Sequence, residues 1–455
     1  MMDINSISAR AIVFSAVIGL FTHSASAKWT VTTEGAKDYC THIISDGNWK
    51  IGVSKIAEGN WRLGAPNSRD GSRYYAGKGV LDLRTLEDDC GVCLKSSSNG
   101  ALERVTTITE VFLPDSLETI DGATFNNDHT SSSASITNVV LGSGIKTIGT
   151  KAFNKCTKLK TINFPEGLTK IGNEAFAGCS SLVLPAGGFP ESLTTLGNKA
   201  FQECTSLPEF LDLKNVSILT DSAHFEGCKS IKNVYAPAVT SVPNYMFNKC
   251  SGLTNAVFSA NLSSIGAYAF SNGGALVSFY PTTMPMLASV GKEAFRGQTQ
   301  LAVSFDFSKS SITTIPNFAL VDLHKVYEMR FPETLASLAS ASLAYNNDQR
   351  RVVWFLGPPP TMLNDNNDAM YPKSTSGRWV LVAGKKHAAE WKADTRLLPL
   401  EEGDANMNDF PGKDSVKAEL GLQGTKPIGK WMAGAGGATF WVVEELASGF
   451  VLIVR

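Results

Sequence analysis

Apolar positions along the chain recur with two periods at once. In short runs such as TINFP (161–165), NVYAP (233–237) and YEMRFP (327–332), apolar and polar residues alternate, the pattern of a strand whose side chains switch faces at every residue. Over longer distances a six-residue motif returns: an aliphatic residue, then Gly or Pro, then Phe five positions after the aliphatic. Clear copies are IGTKAF (148–153), IGNEAF (171–176), LGNKAF (196–201), VPNYMF (242–247), IGAYAF (265–270) and VGKEAF (290–295). Degenerate copies are IDGATF (120–125), LTDSAHF (219–225), IPNFAL (315–320) and LASASL (338–343). The Phe or its substitute therefore stands at 125, 153, 176, 201, 225, 247, 270, 295, 320 and 343, with a mean spacing of about 24 residues.

Other columns keep phase with the Phe. Cys follows three residues later at Cys156, Cys179, Cys204, Cys228 and Cys250. An aliphatic follows six residues later at Leu159, Leu182, Leu207, Ile231, Leu253, Leu276, Leu301 and Val326. Each unit thus reads as a strand, a turn, a second extended stretch and a short helical turn carrying Ala-Phe. One unit cannot bury its own apolar side, but stacked units share a continuous core, with strands spaced about 4.8 Å apart. The position after the aliphatic is Gly at 149, 172, 197, 266 and 291 but Pro at 243 and 316. A site that accepts Pro is expected to hold φ near −65° and to need no N–H donor.

Units such as LKTINFPEGLTKIGNEAFAGC (159–179) resemble the BspA-like leucine-rich repeat proteins, secreted or surface proteins of bacteria and some protists. The resemblance covers residues 106–345, about half of the chain. It implies a role in adhesion or recognition, with ligands that vary within the family. Two units depart from the pattern: one carries the extra residues PAGGFPES (185–192), and another puts His224 where most have Ala. Both are expected to bulge. The expected fold is an α/β solenoid, a leucine-rich repeat array of about ten rungs with one parallel strand ladder, a β-rich N-terminal cap and a small β C-terminal module.

The flanks complete the organisation. Residues 1–27 read as a signal peptide, with Arg10, an eleven-residue apolar run and an A-x-A site that predicts cleavage after Ala27. Residues 28–105 form the N-terminal cap and first ladder strand, VLDLRTL (80–86) resembling FLDLKNV (210–216). The repeats occupy 106–345. Residues 346–397 form a C-terminal cap, in which VVWFLGPPPTM (352–362) reads as the last strand leaving the stack, and 398–455 a small β-rich module of hairpins. The expected localisation is secreted or cell surface, with no membrane span in the mature chain.

Composition narrows the function. Lys and Arg number 41 against 42 Asp and Glu, which excludes a basic nucleic-acid binder, and charged residues are only 18% of the chain. No HExxH, GxSxG or phosphate loop occurs, and carboxylates do not recur as a close pair, so neither enzyme, metal nor cofactor is expected. The cysteine column reads as buried small residues, since a metal needs ligands converging on a point whereas a ladder spreads them along an axis. Cys90 and Cys93 form a CxxC without thioredoxin context. A disulfide from Cys40 to Cys90 or Cys93, tying down the cap, is the preferred reading. LNDNNDAM (363–370) fails the EF-hand pattern and reads as a solvated loop.

What remains is the outward face of the ladder. If Met329 and Phe331 point inward, Glu328 and Arg330 point outward. The same alternation brings out Glu110, Phe112, Asn138, Val140, Thr161, Asn163, Asn233, Tyr235, Ser278 and Tyr280. A stripe of aromatics and amides suits recognition of a protein or glycan. The sequence thus predicts a binding or adhesion module. The alternatives are a structural surface scaffold attached through its tail, or a hydrolase with its site in the cap or tail.

Overall fold

The computed structural model describes residues 28–33, 42–63, 75–102, 107–126, 135–326, 328–343, 350–362, 378–383, 385–393, 397–398, 429–431 and 438–442. The expected signal segment, Cys40, the LNDNNDAM loop and most of 398–455 lie outside the described residues.

The repeats stack as a solenoid, and all ten Phe-equivalent positions are buried. From Phe125 to Phe295 the rings form one column, with successive centroids 5.0–5.8 Å apart and planes within 14° of parallel. The aliphatics six residues later are buried as well, from Leu159 to Val326. Phase is therefore kept even through the degenerate copies.

The strands form two ladders rather than the expected one. The first begins with Gly79–Asp82, Ile108–Phe112, Asn138–Val140 and Thr161–Ile162, all parallel. It resumes with Phe210–Asp212, Asn233–Ala236, Asn255–Phe258 and Ser278–Tyr280, and again from Phe305–Asp306 through Glu328–Phe331 to Arg350–Phe355. The interruption before Phe210 coincides with the unit carrying PAGGFPES. There Val183 keeps a single backbone bond to the Lys160 carbonyl, at 2.9 Å. The second ladder is built from the extended stretch before each Gly. It starts at Asn60–Leu63, the last strand of an antiparallel N-terminal meander, and continues through Leu94–Ser97 and Thr119–Ile120.

The position after the aliphatic explains how the second ladder is divided. The N–H groups of Gly149, Gly172, Gly197, Gly266 and Gly291 each donate to the aliphatic carbonyl one rung earlier, at 2.7–2.8 Å. The expectation that no donor is needed there fails at these rungs. A Cβ on Gly197 would lie 2.4 Å from the Asn173 nitrogen, so the absent side chain permits the close approach. Proline cannot donate. The ladder is interrupted between Ile218–Leu219 and Ser241–Val242, ahead of Pro243, and between Ser289–Val290 and Thr314–Ile315, ahead of Pro316.

The expected helical turn is instead a chain of tight turns. Around Phe153, the N–H groups of Ala152, Asn154 and Cys156 bond the carbonyls three residues back, of Gly149, Lys151 and Phe153. Intervening N–H groups cross to the next rung: Lys151 to Asn173, Phe153 to Ala175 and Lys155 to Ala177, at 2.7–2.8 Å. Residues two before and two after the Phe are left-handed, with φ of 59° at Lys151 and 56° at Lys155. That is the third position of a type II turn. The pattern repeats along the rod and forms a third column of rung-to-rung bonds on this turn face.

At the far end Arg350–Phe355 does not leave the stack. It pairs in parallel with Arg378–Ala383, which pairs in turn with Ala438–Val442, and that last strand forms a hairpin with Gly429–Trp431. Trp391 is fully buried against Phe355 (5.2 Å between centroids) and donates its indole N–H to the Gly357 carbonyl at 2.9 Å.

Candidate functional site

Strand alternation puts two rows of side chains on the outer face of the first ladder. One runs Glu110, Asn138, Thr161, then Phe210, Asn233, Asn255, Ser278. The other runs Asp82, Phe112, Val140, then Asp212, Tyr235, Val257, Tyr280, and later Asp306, Arg330, Trp354. The breaks in the ladder divide the predicted residues into three groups.

The polar members bond mainly to one another. Asn138 donates to Glu110 (3.3 Å) and accepts from Thr161 (2.7 Å). Asn255 donates to Asn233 (2.7 Å) and accepts from Ser278 (2.7 Å). Asn163 clasps the Leu141 backbone, accepting its N–H at 2.6 Å and donating to its carbonyl at 2.9 Å. Such amide chains hold the register and leave fewer groups for a ligand. Phe112 is covered on one face by the Arg84 guanidinium, 4.4 Å from the ring centroid. Glu328 corrects the expectation of an open position: it is only 8% exposed, with its carboxylate held 2.9 Å from Arg330. Arg330 in turn lies over the Trp354 ring, at 5.4 Å.

The middle group stands open. Tyr235 is 41% exposed and Tyr280 53%, with half-buried Val257 between them in register. Phe210, which the sequence reading passed over, is 54% exposed beside Asn233. Its signal was present: it precedes inward Leu211 in FLDLKNV, as Asn233 precedes Val234.

The cysteine column is structural. All five thiols are buried and free. Each donates to the carbonyl of the Phe one rung earlier, from Cys156 to Phe125 through Cys250 to Phe225, at 3.0–3.2 Å. On the Phe295 rung Gln298 takes over, donating to the Phe270 carbonyl and accepting Leu276 N–H at 3.0 Å. Burial pushes Cys156 and Cys250 up to about 12 and the three between them well above the ordinary thiol range. Titrating the native chain with a thiol reagent should leave these five unreacted until it is unfolded. Fast labelling under native conditions would show that the column is open. Cys90 and Cys93 are also free thiols, and burial raises Cys90. Among the described residues no three His, Cys, Asp or Glu converge as a metal site, and no helix is long and apolar enough to cross a membrane.

A family model described as BspA type leucine-rich repeat region matches residues 93–186, 128–238, 184–302 and 240–350, together more than half of the chain. Several solved structures are similar. A leucine-rich repeat protein from Bacteroides ovatus shares 18% identity over 73% of this chain and 92% of its own, with a TM-score of 0.43. The pneumococcal vaccine antigen PcpA shares 18% over 76% and 94%, with a TM-score of 0.42. A leucine-rich repeat protein of T. pallidum shares 20% over 55% and 87%, with a TM-score of 0.32. No curated protein matches the chain.

Proposed function

Because the chain belongs to the BspA-type leucine-rich repeat proteins, we propose that it is an exported, non-enzymatic binding protein that docks a protein partner on the middle of its first ladder. One observation carries this reading. Phe210, Tyr235 and Tyr280 are open on a sheet whose neighbouring amides and hydroxyls already bond one another. Aromatic side chains offer large contact area with little rotamer freedom to lose, and they dominate interface energetics. Side chains in register on paired short strands make an extended surface, which suits a protein partner better than a small ligand that needs enclosure. The carbohydrate alternative is therefore not placed on this face. Attachment through 398–455 is disfavoured as a separate function, because the strand Ala438–Val442 is built into the array's own sheet.

Replacing Tyr235 and Tyr280 together by Ser should weaken partner capture by about tenfold or more. Melting should be little changed, since both rings are already half in solvent. Capture from an extracellular protein array, compared between wild type and the double variant, measures it. Equal capture by the two would remove this face from consideration.

A further inference from the structure

The turn face carries a groove of about 680 Å³ that no part of the ladder-face reading uses. Its size lies in the range of small-ligand sites. The residue after the Phe is an amide or carboxylate at Asn154, Gln202, Glu226 and Asn248. From Gln202 to Asn248 the row is closed: Gln202 donates to Glu226 (2.9 Å) and Asn248 donates to Glu226 (2.9 Å), while Asn272, two residues after its Phe, donates to Asn248 (3.2 Å). One rung before Gln202 the row is broken by Ala177. Across that gap Asn154 is only 4% exposed, yet its Oδ1 has no hydrogen-bond partner. Its Nδ2 reaches the Glu174 carbonyl only at 3.5 Å. A buried amide oxygen left without a donor is costly. Asn154, Ala177 and Gln202 all line the groove.

We propose that this groove binds a neutral oligosaccharide, one of whose hydroxyls supplies the donor that Asn154 lacks. The lining selects that class. Backbone groups here are already tied from rung to rung, Lys155 N–H to Ala177, Gly178 N–H to Gln202 and Glu203 N–H to Glu226, so an extended peptide finds no edge to pair with. Charged side chains of both signs, Glu203 and Lys249 among them, line the walls, which disfavours a polyanion. Amides, hydroxyls and mixed charges at close range match a ligand rich in hydroxyl groups.

Two variants of the full chain test the site. Ala177→Gln completes the row with a side chain that the next rung already accommodates, satisfying Asn154 and filling the groove. Thr205→Trp blocks the exposed rim. On an oligosaccharide array the wild type should retain a defined set of neutral glycans. Both variants should lose that set at least tenfold while melting no lower than wild type. The Tyr235 and Tyr280 double variant should keep it, so failure here and failure of the ladder-face reading are separable. If the wild type retains no glycan, the groove holds solvent only and the proposal falls. It falls equally if wild type and both variants give the same array profile.

Discussion

Phe201→Ala is expected to cost about 3–5 kcal/mol of unfolding free energy, measured by urea denaturation. Phe201 is fully buried, and its ring stacks on Phe176 at 5.2 Å and on Phe225 at 5.7 Å, with Phe189 at 5.4 Å on its flank. Truncation therefore removes contacts to three rings at once and leaves a cavity that fixed neighbours cannot fill. Because each rung touches mainly the next, the damage should be local. Amides that cross this rung, such as Phe176 N–H to Ala200 and Phe201 N–H to His224, should lose hydrogen-exchange protection before those near Phe295. Phe201→Leu should cost much less, because it conserves most of the volume. A loss below about 1 kcal/mol for the Ala variant would mean that the column is not the rod's main core.

The second large effect concerns acid. His224 is fully buried in the slot that other rungs give to Ala152, Ala175 or Ala200, and neither ring nitrogen has a hydrogen-bond partner. Burial pulls its pKa down to about 4, offset only in part by the Thr220 and Leu196 carbonyls and the charge of Asp221. The unfolded imidazole takes up its proton near pH 6.5, well before the buried one does. Stability contributed by this group is therefore complete above pH 6.5, falls as pH drops through the window down to about 4, and levels off below it. The loss amounts to about 3 kcal/mol. Carboxylates also titrate toward the lower end of this range, so the informative quantity is the difference between wild type and His224→Ala. The stability of wild type relative to that variant should fall by about 3 kcal/mol as pH drops from 7 to 4. A constant difference across the range would show that His224 is not buried in its neutral form.

Much of the architecture was legible because it rests on columns. A solenoid asks the same residue of every rung, so Phe, Cys and aliphatic positions announce themselves by spacing, and even Leu320 and Leu343 fall into the buried slot. What the sequence concealed lies in the backbone. Lys151, Glu174 and Tyr245 occupy left-handed positions where glycine would be the expected marker, so the turn chain looked helical. The second ladder uses two-residue strands such as Lys170–Ile171, too short to show alternation. Pro243 and Pro316 suggested that Gly149 and its counterparts need no donor, whereas each supplies an N–H to the rung before it.

The candidate face was legible only in part, because alternation says which way a side chain points but not what lies over it. Phe112 and Glu328 point outward as expected and are then covered by Arg84 and held by Arg330, both reached through long flexible arms. The unpartnered Asn154 had no sequence signal at all. Its significance depends on an alanine one rung away.

The two prolines have a mechanical consequence. Ahead of Pro243 the second ladder lapses while the first runs unbroken from Phe210 to Tyr280, which splints that joint. Ahead of Pro316 the splint is thinner. Regular strands lapse in the first ladder after Tyr280 and in the second after Val290, leaving a parallel bridge from Thr283 to Asp306, with Asp306 N–H bonding the Thr282 carbonyl at 3.0 Å, and a bond from Ser311 N–H to the Leu287 carbonyl at 3.0 Å. The turn face still crosses this level, through Glu293 N–H to Asn317 and Phe295 N–H to Ala319. A rod bent by a load should therefore yield here first, because both ladders thin at the same level. The Tyr235 and Tyr280 platform and the C-terminal strands would then swing as two stiff boards.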